Sequence, residues 1–146
     1  MSAATVGRCE CGILDTNVMI VLASTPAEHL PRVSLITTIT LAELSVGPLV
    51  AESGLARGTR QGNLQLAEAS FEPLPFDAAA ARAFGRVSAS LRRAGRKAHS
   101  RTYDAMIAAI AIAQGLPLYT CNSGDFECIE GLDVVAVPLP RASATP

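Results

Sequence analysis

Short apolar runs alternate along the chain with stretches of helical periodicity. The runs rich in aliphatic and β-branched residues predict four strands, at residues 12–14, 33–39, 118–121 and 134–137. The remaining periodic segments predict helices at residues 18–22, 40–46, 63–69, 77–93 and 103–114. Strands that alternate with helices favour an α/β fold, in which helices cover both faces of a central, mainly parallel sheet.

Local signals set the predicted ends of several helices. Thr40 and Glu43 have the spacing of a capping box, which predicts that a helix begins at Thr40. Asp77 is typical of an N-cap, and Gly115 is typical of a helix end. Residues 49–62 are mixed and contain three glycines, so no regular element is predicted before residue 63.

Composition indicates one globular domain. The chain has 146 residues, of which 49% are hydrophobic, and this excludes a disordered protein. The longest apolar stretch, residues 106–113, is far shorter than the ~20 residues needed to cross a bilayer, and the N-terminus has no signal-peptide pattern. We therefore expect a cytoplasmic protein with an N-terminal extension at residues 1–11, a domain at 12–138 and a flexible tail at 139–146.

Charge is divided unevenly along the chain. There are 12 basic and 13 acidic residues in all, yet no acid lies between Asp77 and Asp104. Seven basic residues fall in that interval, namely Arg82, Arg86, Arg92, Arg93, Arg96, Lys97 and Arg101. Such a segment suits contact with a polyanion, although charge alone slightly favours a solvated helix face with a mobile basic loop.

Four acids are expected at one edge of the predicted sheet. Asp15 follows the first strand, Glu43 opens the helix after the second, Asp104 begins another helix and Asp125 lies beyond residues 118–121. Ligands bind beyond the carboxyl ends of such strands. Each acid also has a purely structural interpretation: Asp15 as a helix cap, Glu43 in the capping box, Asp104 in an ion pair with Arg101, and Asp125 in a turn.

Clustered carboxylates repel each other unless a cation lies between them. Oxygen ligands favour Mg²⁺ or Mn²⁺, which commonly complete their coordination with water and phosphate. A phosphodiester is therefore the expected substrate, with a metal-activated water as the nucleophile.

Four short motifs resemble those of a known family. They are Leu14-Asp15-Thr16-Asn17, Thr40-Leu41-Ala42-Glu43-Leu44, Tyr103-Asp104-Ala105-Met106-Ile107-Ala108-Ala109 and Thr120-Cys121-Asn122-Ser123-Gly124-Asp125-Phe126. In order and spacing they resemble the PIN-domain ribonucleases, and more narrowly the VapC-type toxins of type II toxin–antitoxin systems. Each motif alone is weakly specific, but the set spans about residues 13–138.

The resemblance implies a three-layer α/β/α sandwich and an endoribonuclease that uses Mg²⁺ or Mn²⁺ to cut RNA needed for translation, either tRNA or rRNA. It also implies a homodimer and a heteromer with a VapB-type antitoxin. Asp15 and Asp104 would be the metal ligands, and Glu43 and Asp125 would complete the catalytic acids. The residues expected to position these groups are Asn17, Thr120 and Asn122.

The basic segment gains a specific role from this interpretation. The residues expected to hold RNA phosphates beside the metal are Arg92, Arg93, Arg96, Lys97 and Arg101. Two departures from the family pattern lie in the fourth motif, where Cys121 stands in place of a frequent Arg and Asn122 in place of a frequent acid. The first removes a possible phosphate contact, and the second makes Asp125 the least secure of the four acids.

Two other classes of protein remain to be weighed. An aspartyl-phosphate enzyme also has an Asp after its first strand, but it needs a late Lys, and Lys97 is the sole lysine of this chain. The second alternative is a PIN fold without catalysis that binds RNA or a protein partner. Retention of all four acids favours the nuclease.

Overall fold

A four-stranded parallel sheet forms the centre of the molecule. The structure is a computed structural model that describes residues 9–96 and 101–140. Its strands are β1 (Cys11–Leu14), β2 (Val33–Leu35), β3 (Leu118–Thr120) and β4 (Val134–Ala136). They lie in the order β2-β1-β3-β4, and every neighbouring pair is parallel. The predicted sheet is confirmed.

Helices cover both faces of this sheet. They are α1 (Thr16–Ile20), α2 (Thr38–Val46), α3 (Gly54–Ser70), α4 (Ala78–Arg93) and α5 (Thr102–Gln114). Successive strand residues point to opposite faces. Ile13 and Leu118 accordingly pack with α4 and α5, whereas Leu14 and Tyr119 pack with residues of α1 and α3. The predicted three-layer α/β/α sandwich is therefore confirmed.

The second predicted strand is shorter than expected, and the helix after it begins earlier. The strand ends at Leu35 because the following residues pair with another segment, and Thr37 forms an isolated parallel bridge with Leu74. The Thr37 hydroxyl then caps α2 by accepting a hydrogen bond of 3.1 Å from the Thr40 N–H. The predicted capping box of Thr40 and Glu43 is wrong, because Thr37 is the cap.

Helix α3 is much longer than the predicted residues 63–69. It begins at Gly54, where the Ser53 hydroxyl accepts a hydrogen bond of 3.0 Å from the Ala56 N–H. Glycine is less favourable than alanine in a helix by about 1 kcal/mol, so the three glycines of this segment made its helix unpredictable from local sequence. Tertiary packing overrides that preference, because α3 buries Ala67 in the core beneath α1 and α2.

Other predicted helix ends are confirmed. The Asp77 carboxylate accepts a hydrogen bond from the Ala80 N–H and caps α4. Gly115 has φ of 66°, a left-handed conformation that favours glycine, and it ends α5. Within residues 9–96 and 101–140, no helix has both the length and the apolar character needed to span a membrane.

Candidate active site

The candidate site lies where the sheet connections change direction. From the central strand β1 the sheet extends to β2 on one side and to β3 on the other, and crevices of this kind at the carboxyl ends of strands accept ligands. Asp15 directly follows β1 and is only 4% exposed. Its carboxylate accepts hydrogen bonds of 2.8 Å from the Thr16 N–H and 2.8 Å from the Thr120 hydroxyl. Asp15 therefore caps α1 and also lies at the crevice.

The four predicted acids meet around one pocket of about 220 Å³. Asp15, Glu43, Asp104 and Asp125 all line it, although they come from four separate segments of the chain. The other lining residues are Thr16, Asn17, Ile20, Asn122 and Phe126. Sequence reasoning named Asn17 and Asn122 among these but missed Thr16, Ile20 and Phe126.

Glu43 is held by a hydroxyl pair that the sequence analysis did not predict. The Thr16 hydroxyl donates a hydrogen bond of 2.8 Å to Oε1 of Glu43. The Thr40 hydroxyl oxygen lies 2.9 Å from the same Thr16 oxygen. Because Thr16 has one hydroxyl proton and gives it to Glu43, Thr40 is the donor to Thr16. The available signal was the position of Thr16 next to Asp15 and of Thr40 one helical turn before Glu43.

Thr120 links the end of β3 to α1. Its fully buried hydroxyl donates to Asp15 and accepts from the Asn122 N–H at 3.0 Å and from Nδ2 of Asn17 at 3.4 Å. The Asn17 amide oxygen in turn accepts from the Cys121 N–H at 3.2 Å. These contacts fix the loop after β3 against the first turn of α1. They are the contacts that a positioning role for Thr120 and Asn17 requires.

The acids of the pocket lie close together and partly buried, so their ionised forms are destabilised. Burial raises the pKa of Asp15 and the pKa of Glu43, and neighbouring acids raise both further. Burial, together with the charges of Asp15 and Asp125, raises the pKa of Asp104 to about 6. A pocket of this kind favours bound protons or a bound cation.

Asp125 has partners that the sequence analysis did not assign to it. Nη1 of Arg101 lies 2.9 Å from Oδ1 of Asp125, and Nη1 of Arg96 lies 3.6 Å from the same oxygen. Arg96 also donates a hydrogen bond of 3.3 Å to the Gly124 carbonyl. The ion pair considered for Arg101 and Asp104 is thus replaced by one between Arg101 and Asp125. Two guanidinium groups are held at the rim of the acidic pocket as a result.

The other predicted RNA-binding residues are placed differently. Arg92 is exposed at the end of α4. Nη2 of Arg93 lies 3.7 Å from Oε2 of Glu130. Neither lines the acidic pocket. Lys97 falls outside the described residues. Of the predicted basic set, Arg96 and Arg101 are the residues that the described structure brings beside the acids.

The donor set suits a hard divalent cation. No group of three or more His, Cys, Asp or Glu side chains in the described parts of the chain is arranged as an all-protein metal cage. Mg²⁺ does not need one, because it commonly takes one or two carboxylates and keeps several waters. The buried carboxylate of Asp15 and the half-buried carboxylate of Asp104, both with raised pKa values, are oxygen ligands that fit such an ion.

Comparison with known proteins shows the family of the chain that carries this pocket. The family model described as PIN domain matches residues 13–131, which include all four acids. The chain belongs to the PIN domain family. The resemblance seen in the four sequence motifs is therefore confirmed.

Several proteins similar to this chain carry ribonuclease or endonuclease names. Ribonuclease VapC5 of Mycobacterium tuberculosis is 36% identical over 129 residues, which cover 86% of this chain and 93% of that protein. The tRNA(fMet)-specific endonuclease VapC of Shigella flexneri is 33% identical, over 82% of this chain and 92% of that protein. The crystal structure of the toxin–antitoxin system VapBC-5 from Mycobacterium tuberculosis aligns with a TM-score of 0.75 at 33% identity. That alignment covers 88% of this chain and 99% of the solved chain.

Proposed function

We propose that this PIN domain protein is a divalent-metal-dependent endoribonuclease that acts as the toxin of a toxin–antitoxin pair. The observation that carries the proposal is the convergence of four acids around one small pocket, three of them with raised pKa values. The names of two relatives, a ribonuclease and a tRNA(fMet)-specific endonuclease, support RNA as the substrate. We propose tRNA or rRNA as the RNA that is cut.

Asp15 and Asp104 are the proposed ligands of Mg²⁺ or Mn²⁺, with Glu43 completing the negative charge of the pocket. A bound ion would neutralise this charge and that of the phosphodiester, and would make water a better nucleophile. The protein groups hold these acids in place. Thr120 orients Asp15, and Thr16 orients Glu43, each through a hydrogen bond of 2.8 Å.

Arg96 and Arg101 are the proposed contacts to the RNA backbone beside the acids. Their guanidinium groups are fixed by Asp125, which lines the same pocket. Arginine matches phosphate geometry through two parallel N–H donors, so a preoriented guanidinium loses little freedom when RNA binds. Asp125 is proposed to act mainly by holding these two arginines.

An antitoxin is the proposed protein partner. Val46, Leu49, Val50 and Leu55 are exposed around the α2–α3 connection, and Leu49 and Leu55 are more than 80% exposed, at 84% and 85%. A groove of about 650 Å³ lies beside them, lined by residues that include Pro48, Leu49 and Arg57. Exposed apolar surface of this kind commonly binds a partner. The similar solved structure is described as a VapBC toxin–antitoxin system, which supports an antitoxin of that type. The homodimer stays a prediction.

The test of cleavage uses purified protein and total RNA. Wild type is expected to generate discrete RNA ends with Mg²⁺ or Mn²⁺ and none after EDTA treatment. Asp15→Asn and Asp104→Asn are expected to abolish these ends while keeping the fold, and Asp133→Asn, at an exposed acid outside the pocket, is the matched control. Cleavage that persists in either pocket variant, or that resists EDTA, contradicts the proposed site.

The test of toxicity uses induced expression in bacteria. Wild type is expected to arrest growth and to leave new RNA ends visible by primer extension. Asp15→Asn, or co-expression of wild type with the product of the adjacent gene, is expected to restore growth. If soluble wild type and Asp15→Asn are equally harmless, the chain is instead a PIN fold that binds RNA or protein without cutting.

A further inference from the structure

A second groove, of about 480 Å³, lies beside the acidic pocket. Thr16, Ile20 and Glu43 line both cavities, so the two are adjacent. The remaining walls come from α2, the turn after it, and α3; their residues are Leu44, Gly47, Thr59, Arg60 and Asn63. The volume falls in the range of pockets that bind small organic molecules, roughly 300–1,000 Å³.

Arg60 is a solvent-exposed residue at the wall of this groove. Its Nη1 donates a hydrogen bond of 3.0 Å to the Gly47 carbonyl. Its aliphatic stem lies against Gly47, where an added Cβ would be 3.2 Å from Cδ and 3.4 Å from Cβ of Arg60. The lack of a side chain at position 47 therefore lets the arginine lie along the end of α2. One guanidinium nitrogen is used in this contact, and the other N–H donors of the group can bind an anion.

The groove combines an apolar wall with polar groups. Leu44 is buried there, and Ile20 is 54% exposed although it is a large aliphatic residue. Asn63 is half-buried, and the Thr59 hydroxyl gives its proton to the Leu55 carbonyl, which leaves its oxygen able to accept. An apolar surface beside amide and hydroxyl groups suits a ligand that has both apolar and hydrogen-bonding faces, and a nucleoside is such a ligand.

The geometry of internal cleavage requires such a second binding region. An endonuclease holds nucleotides on both sides of the phosphate that it cuts, so the RNA must leave the acidic pocket in two directions. Arg96 and Arg101 provide positive charge beside Asp125. Arg60 provides it along the groove that shares Thr16, Ile20 and Glu43 with the pocket.

We propose that this groove is a nucleotide subsite, in which Arg60 binds an RNA phosphate and the adjoining nucleoside lies against Ile20 and Leu44. The proposal rests on the proposed ribonuclease function and extends it to a residue outside the basic segment of the sequence. It assigns to Gly47 a positioning role that acts through Arg60.

The test measures RNA binding without cleavage, using full-length protein that carries Asp104→Asn and a 5′-labelled short single-stranded RNA of mixed sequence. In this background Arg60→Gln is expected to weaken binding several-fold and to lower the slope of log affinity against log salt by about 0.7, the value for one phosphate contact on a single strand. Arg32→Gln, at an exposed arginine that lines neither groove nor the acidic pocket, is the control and is expected to leave the slope unchanged. Gly47→Ala keeps the charge and shifts Arg60 by only a few tenths of an ångström, so it is expected to weaken binding less than Arg60→Gln does.

Cleavage in the otherwise wild-type protein provides the second readout. Arg60→Gln is expected to raise KM for RNA much more than it lowers kcat, and Arg60→Lys is expected to restore part of the affinity. Equal salt slopes in Arg60→Gln and its parent would overturn the proposal of a nucleotide subsite. Loss of antitoxin inhibition in Arg60→Gln, with RNA binding intact, would also overturn it, because the antitoxin would then be the occupant of the groove. Failure of the parent protein itself to bind RNA instead counts against the proposed ribonuclease function.

Discussion

The Thr120 hydroxyl lies 2.8 Å from Oδ2 of Asp15 and joins the ends of β3 and β1 across 105 positions of sequence. Asp15 is buried, and burial raises its pKa, whereas the hydrogen bond from Thr120 acts in the opposite direction. Thr120 thus helps to keep the carboxylate ionised inside the protein. An ionised and oriented carboxylate is what a metal ligand requires.

Thr120→Val is expected to weaken both metal binding and folding. The substitution keeps the shape of the side chain but removes the donor to Asp15 and the acceptor of the Asn122 N–H. We expect the pKa of Asp15 to rise further and Mn²⁺ affinity to fall by about 10-fold or more, measured by calorimetry at pH 7.5. The free energy of unfolding in urea should fall by about 1–3 kcal/mol, the usual effect of unpaired buried polar groups.

Thr120→Ser is the matched control, since it keeps the hydroxyl and loses only a methyl group. Its Mn²⁺ affinity should stay near that of wild type. Equal affinities in wild type and Thr120→Val would show that Asp15 is oriented without Thr120.

Metal binding is expected to depend on pH through Asp104, whose pKa is raised to about 6. Below that pH a proton occupies the carboxylate and competes with the cation; above it the charge is available. Mn²⁺ affinity should therefore increase from pH 5 to pH 7 and change little above. Calorimetric titrations at several pH values measure this, and an affinity independent of pH in that window would exclude Asp104 as a ligand.

The same raised pKa predicts that the metal-free protein loses stability as pH rises. Unfolding returns the pKa of Asp104 to its ordinary value of 3.8, so between about pH 4 and 6 the folded state binds more protons than the unfolded state. Its contribution to the free energy of unfolding falls across that window. Asp104→Asn has no such titration, so urea melts with EDTA should show a smaller decrease for Asp104→Asn than for wild type.

Much of the fold was predictable because its signals are local. The aliphatic runs of β1 and β3 and the N-cap Asp77 identify their elements without knowledge of their neighbours. Three glycines conceal α3, which forms because Ala67 packs in the core. The segment after Leu35 looks in the sequence like a continuation of the strand. The sequence does not show where β2 ends, because the bridge between Thr37 and Leu74 is a tertiary contact.

The candidate site was also predictable only in part. Parallel topology alone brings Asp15, Glu43, Asp104 and Asp125 to one edge of the sheet, so their convergence was predictable from order along the chain. Which groups they contact was not. The hydrogen bond from Thr16 to Glu43 depends on how α1 and α2 pack, and the pairing of Arg101 with Asp125 depends on the loop after β3.

Asp125→Asn is expected to separate metal binding from RNA handling. Because Asp125 holds Arg96 and Arg101, its loss should release these side chains and lower kcat for RNA cleavage. Mn²⁺ affinity should change by less than about 10-fold, in contrast to Asp15→Asn, in which an oriented ligand is removed. Calorimetry on both variants makes the comparison, and equal losses of Mn²⁺ binding would make Asp125 a ligand instead.

Gly12→Ala is expected to destabilise the centre of the sheet. A Cβ at this position of β1 would lie 2.5 Å from Cε1 of Tyr119, 2.8 Å from its Cδ1 and 3.1 Å from Cγ of Pro31. Tyr119 is only 3% exposed, so its ring cannot move aside without displacing the core. Overpacking of this kind costs about 1–3 kcal/mol in the free energy of unfolding, which urea denaturation measures. Because Tyr119 precedes Thr120, the shift should also lower Mn²⁺ affinity.

Gly85→Ala in α4 is the control for Gly12→Ala. Its Cβ would meet no atom within 4 Å, so alanine should stabilise the helix by up to about 1 kcal/mol. A Gly12→Ala protein as stable as wild type would show that Tyr119 has room to move.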